Sequence, residues 1–348
     1  MANESTAVPP LTEAQLLDLG TRAFRGLGLP EADATQVARV LVTADLFGLS
    51  THGLSRVESY GERLTLGGIN ARAQVRVESV APAMCRVDGD NAVGPVVGMR
   101  ALEAAMQCAR QCGVGVALAR GSNHFGPISP YGLIAAEAGF ASIIGSNATT
   151  TIAPWGGSDA RLGNSPIGFG VPNPGGDPFL LDMAMSVVAR AKIRSALKQG
   201  KAIPDTWATD AKGQPTTDPA AALDGFLLPI GGHKGYGLAL MVDLFAGLLS
   251  DAAYLTHVKS WSEAPEEPQN LGHFFILINT QLLGSNAWLA DRMRDFAAIL
   301  HDSPPSDSKQ PVIVPGEIEL EKMRKRQREG LVLDATTHGL LQQYAARV

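Results

Sequence analysis

Apolar residues recur at helical spacing from the start of the chain. Thr12 with Gln15 three residues on forms a capping-box pair, and Leu16, Leu19 and Ala23 follow on one face. Pro30 suits the first turn of a second helix with Ala34, Val37 and Leu41 on its apolar side, and Gly48 breaks it. Ser50 or Thr51 can then cap a third helix that ends at Gly67-Gly68. From about residue 75 the texture changes. Short strands are expected at Val75–Val77 and Cys85–Val87, then a helix over Gly94–Cys112 and a strand over Val114–Ala119. A helix at Tyr131–Gly139 and extended segments at Ala141–Gly145, Gly168–Pro172 and Phe179–Leu181 continue this part. Helices follow at Ser186–Gln199, Gly235–Leu249 and Ala287–Leu300, with a polar loop at Pro204–Pro219 and a strand at His273–Asn279. The Ser303–Asp307 linker leads to a strand at Val312–Val314 and a charged helix over about Ile318–Arg328. There is no fixed-period repeat.

Mixed strands and helices behind a helical start predict an α/β fold with a helical domain that both chain ends share. The expected division is a helical domain at 1–74, to which 315–348 returns, and a mixed α/β domain at 75–314. A chain of 348 residues agrees with two domains.

Composition narrows the function. Lys and Arg number 29 against 34 Asp and Glu, for a net charge of -5, and no basic run marks a nucleic-acid footprint. Met1–Pro10 lacks the basic start and apolar run of a signal peptide, and the apolar stretch Leu238–Leu249 is interrupted by Asp243. A cytoplasmic protein without nucleic-acid or membrane partners is expected. Cys85, Cys108 and Cys112 are odd in number and lack an accompanying His or Asp cluster, so neither a disulfide framework nor a metal site is expected.

The segment Ser50–Tyr60 concentrates the candidate chemistry. His52, Arg56 and Tyr60 stand at i, i+4 and i+8, so a helix would stack all three in one row. An imidazole, a guanidinium fork and a phenol in a row suit a small oxo or hydroxy acid; a solvated stripe on a surface helix is the plainer reading. His124 sits in the glycine-containing loop Gly121–Pro127 after a strand, placed either to touch a ligand or to bond backbone carbonyls. Ala153–Gly157 and Gly163–Pro166 form two close glycine turns. Gly231–Gly237, with His233 and Lys234 at a helix start, can seat a phosphate or form a solvated turn. His257, His273, His301 and His338 are isolated and read as structural. No G-x-G-x-x-G or Walker A sequence is present, so spacing alone implies no dinucleotide.

Seven segments in order, Ser50–Tyr60, Ser122–Gly126, Ala153–Gly157, Gly163–Pro166, Leu181–Ala184, Gly231–Gly237 and Pro315–Glu317, resemble the malate/L-lactate dehydrogenase family of non-Rossmann NAD(P)-dependent oxidoreductases. The resemblance runs from about residue 11 to 333. That family includes ureidoglycolate, sulfolactate and diketogulonate enzymes and reductases of cyclic imines such as piperideine carboxylate. The resemblance implies a homodimer whose cofactor domain is a mixed sheet of its own topology, with the active site between that domain and the helical one. It makes His52 the proton donor or acceptor with Thr51 beside it, Arg56 and Tyr60 the substrate-holding residues, and His124 the junction of substrate and nicotinamide. Phe125, Gly126, Pro127, Ile128, Ala148, Asp182, Met183, Ala184, His233, Lys234, Gly316 and Glu317 match positions that contact NAD or NADP.

The implied reaction interconverts a 2-hydroxy acid, malate- or lactate-like, and its 2-oxo acid. The alternatives are reduction of cyclic or N-alkyl imino acids and oxidation of ureidoglycolate. The cyclic-imine branch has an Asp where this chain has Lys192, which weighs against the imine reading. Asn164-Ser165 replaces the family's usual Thr-Asn, and Met185 stands where many members have Thr. A non-catalytic homodimer on the same scaffold is the reading from another class; retention of His52, Arg56, His124 and Lys234 argues against it.

Overall fold

The computed structural model describes residues 8–348, so residues 1–7 of the Met1–Pro10 segment read above lie outside the described residues. Helices α1 (Glu13–Gly26) and α2 (Glu31–Phe47) open the chain. Thr12 caps α1 and Gln15 returns the bond, completing the capping box. Pro30 takes the N-cap of α2, one position ahead of the first turn, and Gly48 ends the helix at a φ of 89°.

The third helix departs from expectation. Two short 3₁₀ turns, Ser50–His52 and Leu54–Arg56, precede α3 (Val57–Leu66), and neither Ser50 nor Thr51 caps a helix. Gly53 is extended between the turns, and a Cβ there would lie 2.0 Å from Asp45 Oδ1. The Asp45 carboxylate instead accepts the Leu54 N–H at 2.7 Å. The chain is thus folded over a buried acid, and His52, Arg56 and Tyr60 do not share a helix face.

Strands β1 (Arg76–Ala81) and β2 (Met84–Asp88), helix α4 (Gly94–Cys112) and strand β3 (Val114–Ser122) follow. Next come α5 (Ser129–Glu137), β4 (Phe140–Ser146), the short pair β5 (Thr150–Ile152) and β6 (Leu162–Gly163), and strands β7 (Ile167–Val171) and β8 (Phe179–Met183). Helices α6 (Arg190–Lys198), α7 (Pro219–Asp224) and α8 (His233–Asp243) lead to β9 (Leu271–Asn279), α9 (Asn286–His301), α10 (Glu317–Glu329) and α11 (Ala335–Ala345). Residues Leu244–Leu248 extend α8 as one π-helical turn. Val312–Val314, expected as a strand, is irregular. The expected helix at Ser186–Gln199 starts only at Arg190. Helix α11 was not foreseen.

The seven-stranded sheet runs β1-β2-β3-β9-β4-β7-β8. Only β2 and β3 are parallel, joined by α4 as a crossover, and every other pairing is antiparallel. This mixed order has no doubly wound half, so no glycine fingerprint turn is required of it. One apolar core is continuous from Leu16, Phe24 and Leu41 through Val97 and Leu102 to Phe140 and Phe275. A second, smaller core around Ile152, Met185, Ile193 and Leu227 belongs to β5, β6 and α6–α8. Helix α11 packs on α1 and α10 on α2, so the chain end rejoins the opening helices. Among the described residues no helix is long and apolar enough to cross a membrane.

Candidate active site

The 3₁₀ turns, the loops after β3 and β4, the end of β8, the start of α6 and the 313–319 segment enclose one cavity of about 780 Å³. Thr51, His52 and Arg56 enter it from the turns. His52 Nδ1 lies 2.9 Å from Thr51 Oγ1. Arg56 Nε donates to the Thr51 carbonyl at 2.8 Å, which holds the turn closed and leaves the guanidinium's terminal nitrogens unpaired. Burial, and then the charge of Arg56, lower the His52 pKa from 6.5 to about 4, so the resting imidazole is neutral.

His124 lines the cavity with its ring centroid 5.5 Å from that of His52. Tyr60 is fully buried behind it and does not reach the cavity. The single Tyr60 O–H donates to the His124 carbonyl at 2.9 Å, so His124 Nδ1–H donates back to the phenol oxygen at 2.8 Å. Nε2 therefore carries a lone pair. Burial foremost, with Arg56 and His52 nearby, pushes the His124 pKa well below its usual range.

Of the expected cofactor positions, Phe125, Gly126, Pro127, Ala148, Asp182, Ala184 and Gly316 line the same cavity. Gly316 has a φ of 101°, and a Cβ there would lie 2.9 Å from the Leu180 nitrogen. Asp182 Oδ2 accepts the Ile128 and Ser129 amides at 2.7 and 2.8 Å, which caps the start of α5 and consumes that oxygen. Burial raises its pKa, and the Ser129 hydrogen bonds oppose the rise.

Ile128, Met183, His233, Lys234 and Glu317 are not on the cavity wall. Ile128 is in the main core, and Met183 packs on the second core. Glu317 accepts the Val314 amide at 2.9 Å and pairs with His301. His233 and Lys234 start α8 on the surface, the former edge-on to Trp155 at 5.6 Å.

Several wall residues carried no sequence signal. Trp261 closes one side, 5.7 Å from His124, and is held by Arg63. Arg63 is buried and donates to the carbonyls of Trp261, Ala264 and Glu267. Arg190 and Arg194 enter from α6. Lys192 turns away, its amine 4.9 Å above Trp207. His273, read as structural, bridges Ser146 at 2.9 Å and Ser122 at 2.6 Å and stacks on Phe125. It ties the ends of β3 and β4 from which the His124 and Ala148 loops depart. Burial holds it neutral, with a pKa of about 3.

The mixed sheet, without a fingerprint turn, thus carries a cavity walled by two neighbouring imidazoles and an arginine. Residues 11–342 match the malate/L-lactate dehydrogenase family, and the chain belongs to it. The chain is similar to a malate dehydrogenase of Pyrococcus abyssi, 35% identical over 96% of this chain and 93% of the relative. The solved sulfolactate dehydrogenase of Methanocaldococcus jannaschii superposes with a TM-score of 0.89 at 35% identity, covering 97% of this chain and 96% of that one. A delta1-piperideine-2-carboxylate reductase from Pseudomonas syringae gives 0.87 at 29% identity, over 96% and 99% of the two chains.

Proposed function

We propose that this protein is an NAD- or NADP-dependent dehydrogenase that interconverts a small 2-hydroxy acid and its 2-oxo acid. The observation that carries the reading is the meeting of a neutral His52, a neutral His124 and an arginine with free terminal nitrogens on one cavity wall. The wall also fits a flat nicotinamide ring: Gly126, Ala148, Ala184 and Gly316 present no side chain beyond Cβ, and at Gly316 none has room. When bound, the reduced cofactor supplies hydride to the carbonyl carbon. Arg56 holds the carboxylate by its fork and so selects the carbonyl face. A carboxylate on Arg56 also cancels the charge that depresses the His52 pKa. His52 is then protonated more readily as substrate arrives, and its proton passes to the carbonyl oxygen. In the oxidative direction His52 takes the hydroxyl proton back, and His124, fixed by Tyr60, positions the substrate beside it.

Two functional parts meet here: 1–74 with 315–348 brings the proton donor, and 75–314 brings most of the cofactor wall. The chain works as a homodimer in the cytoplasm; the exposed apolar side of α8 supports the first, and three free thiols suit the reducing compartment. Lys192, lying on Trp207, is a cation where an imine reductase of the family has an acid, which favours oxo acids over imino acids. A spectrophotometric screen of oxo and imino acids with NADH and NADPH tests this. Turnover confined to oxo acids is expected, and equal turnover of both classes removes the substrate assignment.

A further inference from the structure

We propose that Arg194 sets substrate class at this site: its guanidinium receives the remote anion of a dianionic 2-oxo acid, while Arg56 holds the carboxylate beside the reacting carbonyl. The inference rests on the oxo-acid reading above and adds what sits at the substrate's far end.

Helix α6 explains why Arg194, although exposed to solvent, reaches the cavity. Ile193 is fully buried in the second core and pins the helix. Arg190 and Arg194, one turn apart, both line the cavity, whereas Lys192 lies over Trp207. Arg190 is already engaged, donating through Nη2 to the carbonyls of Leu223 and Gly225. Arg194 has no carboxylate within ion-pair distance among the described residues, and neither has Arg56. The two acids on the wall do not neutralise them. Asp182 caps α5, and Glu319 lies near enough to Asp182 to raise its pKa. The proximity of Arg194 in turn contributes to lowering the pKa of Arg56.

Two uncompensated guanidiniums facing one cavity repel each other. A monocarboxylate such as pyruvate satisfies one of them. A dicarboxylate or a sulfonated carboxylic acid satisfies both and relieves the repulsion, so the geometry favours the dianion.

The test compares kcat/KM for oxaloacetate and pyruvate in the wild type, Arg194→Gln and Arg194→Lys. The wild type should prefer oxaloacetate. Arg194→Gln should lower the oxaloacetate-to-pyruvate ratio by about 10²-fold, the scale of one charged hydrogen-bonded contact, and Arg194→Lys should recover part of it. An unchanged ratio overturns the assignment. So does weaker NADH binding by fluorescence titration without a change in the ratio, which would place Arg194 on the cofactor. Thermal stabilisation by malate against lactate is read in parallel without turnover. If no oxo acid is reduced, the oxo-acid reading falls, while a malate-specific shift that Arg194→Gln abolishes still supports dianion binding and an equal shift overturns it.

Discussion

His52 shows how a single environment sets the protonation state of an imidazole. Its pKa of about 4 lies below the ordinary 6.5 because burial and Arg56 penalise the cation. In the free enzyme near neutrality the imidazole is therefore nearly all base. Oxidation of a hydroxy acid needs that base, so its kcat/KM should rise through the low pKa and then stay level as far as this group is concerned. Reduction needs the scarce acid form. Its kcat/KM should fall about tenfold per pH unit between roughly pH 5.5 and 8. A profile for reduction that is level across that range would take proton donation away from His52. Replacing His52 by Ala should lower kcat by at least ~10²-fold, measured against a His124→Ala variant; near-normal turnover would transfer the role to His124. At this scale the sequence pointed to residues that lie together. Thr51, His52, Arg56 and His124 do share one cavity. Tyr60 illustrates the limit, because only the packing of α3 shows its hydroxyl bonded to His124 rather than facing the cavity. Arg194 was invisible for the same reason, since nothing local distinguishes it from Lys198, equally exposed on the same helix but off the cavity.

Elements were legible where the periodicity was strong and local. The α4 and α9 patterns were plain, whereas the break at Gly53 depends on Asp45 from the preceding helix. That acid is 3% exposed, and burial raises its pKa to about 7, against the Leu54 hydrogen bond and Arg326. The folded state thus holds a proton that the unfolded chain releases near 3.8. Stability from this group is full below that value and declines as pH rises to about 7. Asp45→Asn removes the titration. Relative to wild type the variant should gain about 1.4 kcal/mol for each pH unit between pH 4 and 7, by urea denaturation. A difference that stays constant with pH would mean that Asp45 is ionised throughout. Arg63 acts on the opposite wall. Its three carbonyl contacts span residues 261–267, and its guanidinium lies 4.6 Å over the Trp261 ring. Arg63→Met leaves those carbonyls unpaired and should cost about 3 kcal/mol. KM for the oxo acid should rise with it, since Trp261 loses its anchor. A stability loss with KM unaltered would make Trp261 a bystander to binding.

At the scale of the molecule, the α/β class and the absence of a fingerprint turn could be read from residue types. Strand order could not, because β9 sits between β3 and β4 through pairings that span more than 120 residues. The surface carries a further feature of that scale. Leu238, Met241, Phe245 and Leu248 are 48%, 47%, 41% and 49% exposed, and their spacing puts them on one side of α8 and its π turn. Such a stripe is costly in water and is the kind of surface that a second copy of the chain covers. Lys234 begins the same stripe four residues before Leu238, and neither it nor His233 reaches the cavity of its own chain. A symmetric α8 contact would bring both residues to the subunit boundary. Met241→Glu together with Phe245→Glu places two charges in the middle of that contact, where desolvating them without partners is prohibitive. Size-exclusion chromatography with light scattering should give a dimer for the wild type and a monomer for the double variant, with the fold intact by circular dichroism. A dimer that survives both substitutions would move the interface off α8, to another apolar face such as the one that bears the exposed Leu282 and Leu283.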